Sequence, residues 1–225
     1  AEEWWMSYLG PELPPYKQYF EAKTHEHEPD ETLYRPIENL VRLINEKPAA
    51  ELNEAVGPYL DLRGLTRFLA VQNFIGEIDG FAGKWGMNNF YLYRLQHQAQ
   101  HRVIAWDDDL TFLDPAYDLM SFQDANVLVK KLMEVPEYRG LYFETLAEAV
   151  RSASAGGGET APGALETEIR RELEVIDAAM LADTRRPYTD TEYLDAREYL
   201  KQFAARRVRY VECEVARLTG GSPCG

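Results

Sequence analysis

The side chains best suited to chemistry cluster between Asp79 and Asp109, in the stretch DGFAGKWGMNNFYLYRLQHQAQHRVIAWDDD. Asp79 stands in a loop punctuated by glycines, Asn88 and Asn89 follow nine and ten residues later, and Asp107, Asp108 and Asp109 close the stretch. Adjacent carboxylates repel unless water or a cation screens them, so packing alone does not account for the acidic triplet. Two carboxylates with a nearby amide oxygen suit a hard cation such as Mg²⁺, which takes one or two protein carboxylates together with phosphate oxygens. A bare acidic triplet also fits a solvated turn. What favours the cation is the setting. Phe90, Tyr91, Leu92 and Tyr93 read as one strand and Arg102 to Trp106 as a second, with the polar run Gln96 to Gln100 turning between them. A β-hairpin would thus carry the asparagines at one strand end and the aspartates at the other. If the extended chain continues, Asp107 and Asp109 point one way and Asp108 the other.

The order of these parts is that of phosphoryl transfer in protein kinases: an aspartate, a loop, an asparagine, a hairpin, then a metal-type aspartate. Asp79 would be the base, and Asn89 or Asn88 with Asp107 the metal ligands. No histidine–arginine pair precedes Asp79; Glu77 and Ile78 stand there instead. The loop to Asn89 is also longer than an ordinary kinase catalytic loop. The chain is therefore not an ordinary protein kinase.

The segments LAVQNFIGEIDGF, NNFYLY and VIAWDDDLTF resemble the CotH kinases, atypical secreted or spore-coat protein kinases. The resemblance extends more weakly through YFEAKT (residues 19 to 24) and the helical tail ending near Arg206. It implies a protein-kinase-like carboxy-terminal lobe that uses ATP and Mg²⁺. It matches Asp79 to the catalytic aspartate and Asp107 to the Mg²⁺-binding aspartate, with Asn89 and Asp109 alongside. It further implies a protein acceptor and a location outside the cell, in the envelope or in a spore coat. Two departures stand against it. The insertion GFAGKWGM lengthens the catalytic loop, and the family's amino-terminal lobe, with its nucleotide-covering strands and lysine, is not recognised upstream. The expectation is a piece that folds but transfers phosphate poorly.

Composition narrows the partners. Lys and Arg number 24 against 38 Asp and Glu, a formal net charge of −14. That balance argues against nucleic acid, whose phosphates reward clustered Lys and Arg, and against an anionic membrane surface. It would steer a Lys- and Arg-rich protein toward the chain. No apolar run is long enough to span a bilayer, and the opening AEEWWM has no signal-peptide pattern. Cys213 reads as a buried thiol in a helix and Cys224 as part of a flexible end; one disulfide is available to the pair.

The elements that must position these residues read as mainly α with a small β-hairpin (α+β), one domain over residues 1 to 225. Tyr19 to Thr24 reads as a strand. A helix opens at Pro36 with Ile37, Leu40, Val41 and Ile44 on one face. A second, Gly64 to Phe74, buries Leu65, Phe68, Leu69 and Val71 and delivers the Asp79 loop. Helices follow over 125 to 150, then a flexible linker over 152 to 163, a helix over 164 to 182 and a last one from Asp190 to Leu218. In the last helix Leu194, Leu200, Phe203, Val208, Val211 and Val215 face inward, and Arg206, Arg207 and Arg209 form a solvated basic face. Gly80, Gly83 and Gly86 match no phosphate-loop fingerprint and read as aids to a tight fold. Lys84 among them is a candidate phosphate contact, with plain surface charge as the alternative. Lys23 reads as structural, and His25 and His27, with no further His or Cys nearby, as a solvated loop. Two rivals accompany the kinase reading: a non-catalytic pseudokinase or coat-interaction module, and a metal-dependent glycosyltransferase suggested by Asp-x-Asp alone.

Overall fold

The structure is a computed structural model that describes residues 3–158 and 161–222. It is 54% helical, and its one sheet among the described residues is a two-stranded antiparallel hairpin, which makes the fold mainly α. In chain order the elements are α1 (Pro14–Lys17), α2 (Asp30–Glu46), α3 (Leu52–Ala55), α4 (Leu62–Ile75), β1 (Phe90–Arg94), β2 (His101–Ala105), α5 (Val127–Glu134), α6 (Pro136–Ser154), α7 (Ala164–Ala182) and α8 (Asp190–Leu218). Such a hairpin offers no sheet of the kind a sugar-nucleotide-binding Rossmann domain is built on.

Local chemistry sets the helix ends. The Asp61 carboxylate accepts from the Gly64 amide (2.9 Å) and opens α4, whose far end is closed by Gly76 at φ +70°. Asn126 caps α5 through the amides of Leu128 and Val129. Thr189 and Glu192 form a reciprocal capping box at the start of α8. Helices α4, α6 and α8 pack on one another, and α7 lies against α6 and α8. Leu65, Leu69, Leu128, Leu132, Tyr142, Leu146 and Val211 are buried in the common core. The hairpin lies against α4. Its register pairs Phe90 with Ala105 and Arg94 with His101. Buried His101 ties it down: its amide donates to the Tyr59 carbonyl (2.7 Å), its Nδ1 lies 2.9 Å from the same oxygen, and its carbonyl accepts from the Asp61 amide. Phe90 packs edge-on against Phe81 and Phe20, while Tyr93, Ile104 and Trp106 on the other face stay exposed.

Several expectations are corrected. Pro36 lies inside α2, which begins at Asp30. The carbonyl it leaves without a partner is that of exposed Thr32, where water replaces the lost bond. The acidic first turn, Asp30 and Glu31, suits the positive end of the helix dipole. Tyr19 to Thr24 forms no strand; Tyr19 instead stacks on Trp4 and Phe20 meets it edge-on. Val71 and Leu194 are exposed, because each falls just off the buried stripe of its helix. Ser152 to Ser154, assigned to the linker, continue α6. Cys213 is half-buried rather than enclosed, and Cys224 lies outside the described residues. Arg207, assigned to a solvated face, is 0% exposed.

Candidate active site

The Asp79 limb grows out of the end of α4. Gly76 and Glu77 donate their amides back to the carbonyls of Asn73 and Gln72, which turns the chain sharply. The loop then folds on itself: Gly83 N–H donates to Gly80 O, Lys84 N–H to Ile78 O and Asn88 N–H to Gly80 O. Gln72 steadies it from below, its Oε1 accepting from the Phe81 amide (3.2 Å). Gly86 is required here. It sits at φ +100°, and a Cβ there would come within 2.9 Å of the Trp4 backbone. Asp79 is the focus of the loop. Asn88 Nδ2 donates to its Oδ1 (2.9 Å) and Asn89 Nδ2 to its Oδ2 (3.1 Å). These three line a recess of about 340 Å³ with Trp4, Tyr19, Trp85 and Met87. A larger groove of about 480 Å³ between α6 and α8 shares no residue with it and holds none of the chemistry-bearing side chains.

The aspartate limb meets the same asparagines across the hairpin. Trp106 N–H donates to Asn89 O (3.2 Å), which sets the residue just before Asp107 against the second asparagine. Alternation does not continue past that point. Asp107 and Asn89 both adopt the left-handed conformation (φ +54° and +53°), which Asp and Asn tolerate best among residues with a Cβ. Asp108 to Leu110 then form one turn of 3₁₀ helix. The carboxylates of Asp107 and Asp109 are exposed, while Asp108 turns inward and accepts from Gln72 Nε2 (3.3 Å). Strand geometry was thus the wrong rule for this triplet, because the strand ends at Ala105. The structure brings Asp79, Asn88 and Asn89 into direct contact and links Asp107 to them only through the backbone of its neighbour Trp106. Among the described residues the side chains of Asp107, Asp109 and Lys84 make no hydrogen bond to those three. Lys84 is exposed, its ammonium 5.4 Å from the Trp85 ring at the edge of the recess. Among the described residues no basic side chain pairs with Asp79, Asp107, Asp108 or Asp109, and no three Asp, Glu, His or Cys side chains form a ready-made cation cage. A divalent ion here would draw on two carboxylates, an amide oxygen and its own waters.

Glu77 belongs to this site and was missed in the sequence. It is only 3% exposed; one carboxylate oxygen accepts from the Asp79 amide (2.7 Å), and Oε2 has no partner. Burial pushes the carboxyl above its ordinary range, and the nearby charges of Asp108, Asp79 and Asp109 push it the same way. The available signal was its position, directly after a helix-closing glycine and two residues before the aspartate. A carboxyl raised on folding stabilises the native state only at acid pH. That stability is fully present below the unfolded value and is lost as pH rises through the folded one. Glu77→Gln keeps the acceptor for Asp79 N–H and carries no charge to bury. Its denaturation midpoint should therefore exceed the wild type's at pH 8 and converge with it near pH 4. A pH-independent difference would show that Glu77 is not strained by its charge.

A family model described as CotH kinase protein matches residues 10–211, a span that contains every catalytic and metal candidate. The chain is also similar to inner spore coat protein H of Bacillus subtilis (strain 168), 28% identical over 139 residues, covering 59% of this chain and 36% of that protein. The aligned part thus spans little more than a third of that relative's length. The chain belongs to the CotH kinase family.

Proposed function

We propose that the chain is a Mg²⁺-dependent ATP:protein phosphotransferase module, with Asp79 as catalytic base. One observation carries the reading: two asparagine amides hold the Asp79 carboxylate at the wall of a recess, and the Trp106 amide, directly before Asp107, bonds to the carbonyl of one of them, Asn89. Asp79 would align a Ser or Thr hydroxyl and accept its proton as the hydroxyl oxygen bonds to the γ-phosphorus and the bond to ADP breaks. The donor set fits Mg²⁺, being oxygen-rich and, among the described residues, left without a cationic partner. Asp107 and Asn89 (or Asn88) would hold the ion, with Asp109 near by; bound Mg·ATP would supply the phosphoryl group and neutralise its charge. Lys84, whose ammonium lies against Trp85 at the edge of the recess, would meet a phosphate. The chain's own contribution is positioning and exclusion of water rather than covalent chemistry. The charge of −14 suits a basic protein acceptor, and the relative's name suggests a coat or envelope layer as the place of action.

One observation favours a second reading, a non-catalytic module that keeps the fold. Both Asp79 oxygens are already hydrogen-bonded, which leaves the base engaged before any hydroxyl arrives. Calorimetric titration with Mg·ATP, paired with label transfer from γ-labelled ATP to a Lys- and Arg-rich acceptor, separates the two. Binding with transfer supports the enzyme; binding without transfer supports the second reading. Folded protein that neither binds nor transfers would overturn the proposal.

A further inference from the structure

Arg207 is fully buried in α8, although Arg206 and Arg209 beside it lie in solvent. Among the described residues its guanidinium has no carboxylate partner, and it spends its donors on four backbone carbonyls. Nε donates to Phe74 O (2.8 Å) and Nη2 to Asn73 O, while Nη1 donates to Pro115 O (3.1 Å) and Tyr117 O (2.7 Å). Burial pushes it down to about 10, so it remains a cation at neutral pH. The first two carbonyls belong to the last turn of α4, where the helix dipole favours a positive charge. That turn ends at Ile75, four residues before Asp79. The other two belong to the chain that leaves the Asp107–Asp109 turn. Between the two pairs, the limbs are laced directly: Phe112 N–H donates to Ile75 O (3.0 Å) and Ile78 N–H to Leu110 O (3.4 Å). One side chain from a helix about a hundred residues later therefore closes the base of both limbs.

We infer that Arg207 is a positioning residue: it sets the separation between the Asp79 loop and the Asp107–Asp109 turn. The choice of residue follows from the geometry. Four acceptors spread over two segments match the flat, five-donor fork of arginine, whereas lysine offers three donors at one point and leaves buried carbonyls unpaired. The part that concerns catalysis rests on the phosphotransfer reading above; the geometric part does not.

The test compares Arg207→Lys with Val211→Ala, a cavity-forming change one turn along the same buried stripe whose side chain has no hydrogen bond to give either limb. For each folded variant three quantities are read: denaturation midpoint, amide hydrogen exchange at Ile78 and Phe112, and kcat and KM for phosphotransfer. Arg207→Lys should speed exchange at those two amides far more than Val211→Ala does at equal loss of stability. It should lower kcat by on the order of 10²-fold with KM for ATP little changed, as misplacement of reacting groups by about 1 Å does. If both variants change exchange and kcat in proportion to stability alone, Arg207 is a packing residue and the inference is overturned. If the wild type transfers no phosphate but Arg207→Lys still loosens Ile78 and Phe112 selectively, the phosphotransfer reading fails and the positioning role stands.

Discussion

Asp79→Ala should lower phosphotransfer by about 10²- to 10⁴-fold, the usual contribution of a positioned general base. The KM for Mg·ATP should hardly move, because Asp79 is not among the proposed metal ligands. The protein should remain folded: Asp79 is only half-buried, and its backbone bond to Glu77 survives the change. Asp79→Asn is the less clean substitution. Asn88 and Asn89 both present NH₂ groups to this side chain, so an amide there would meet one of them donor to donor. The loop would have to rearrange to relieve that contact. Asn88→Ala provides the control, since it removes one clamp and leaves the carboxylate; its loss should be well below that of Asp79→Ala. Initial rates of label transfer at saturating Mg·ATP decide the matter. Equal incorporation by wild type and Asp79→Ala would remove Asp79 from the mechanism.

Asp107→Asn should weaken Mg·ATP binding at least about 10-fold, more than second-sphere changes commonly do at the low end. Two effects must be separated at this position. The residue sits at φ +54°, so replacing it by alanine adds a backbone penalty of roughly 1 kcal/mol to any loss of metal binding. Asparagine tolerates the same conformation and keeps one oxygen, but drops the charge. The denaturation midpoint of Asp107→Asn should match wild type while that of Asp107→Ala falls, and Mg·ATP affinity should fall in both. Asp109→Asn, whose side chain is exposed and contacts neither asparagine, should fall less. Titration calorimetry of the three variants reads the order directly. Full affinity in Asp107→Asn would exclude its carboxylate as a ligand.

Part of this molecule was legible in the chain because the relevant physics is local. The hairpin was placed within one residue at each strand end, since an aromatic and β-branched run, a polar turn and a second such run have few other ways to fold. Helices α7 and α8 fall at residues 164–182 and 190–218 as read from the sequence, set off by the Gly-rich run before the first and the TRRPYTD break before the second. The Glu166–Arg170 pair, four apart on one helix face, forms as spacing requires. Where a local rule was carried past its element it failed. Two-residue alternation was extended from β2 into Asp107–Asp109, and a left-handed residue at the first aspartate cancelled it.

What the sequence by itself determined is which segments are helix or hairpin and which side chains stand at the hairpin's two ends, because backbone geometry repeats over a few residues. Tertiary structure alone decided which charges are buried. Arg207 shares a stripe with Phe203, Ala204 and Val211, a spacing that hints at burial, yet its charge is tolerated only because carbonyls from residues 73, 74, 115 and 117 converge on it. Glu77 is likewise buried, and the charges of Asp108 and Asp109, which push its carboxyl upward, come from beyond the hairpin. The environment of a charge is made by whatever packs over it, and here those groups lie tens of residues away in the chain.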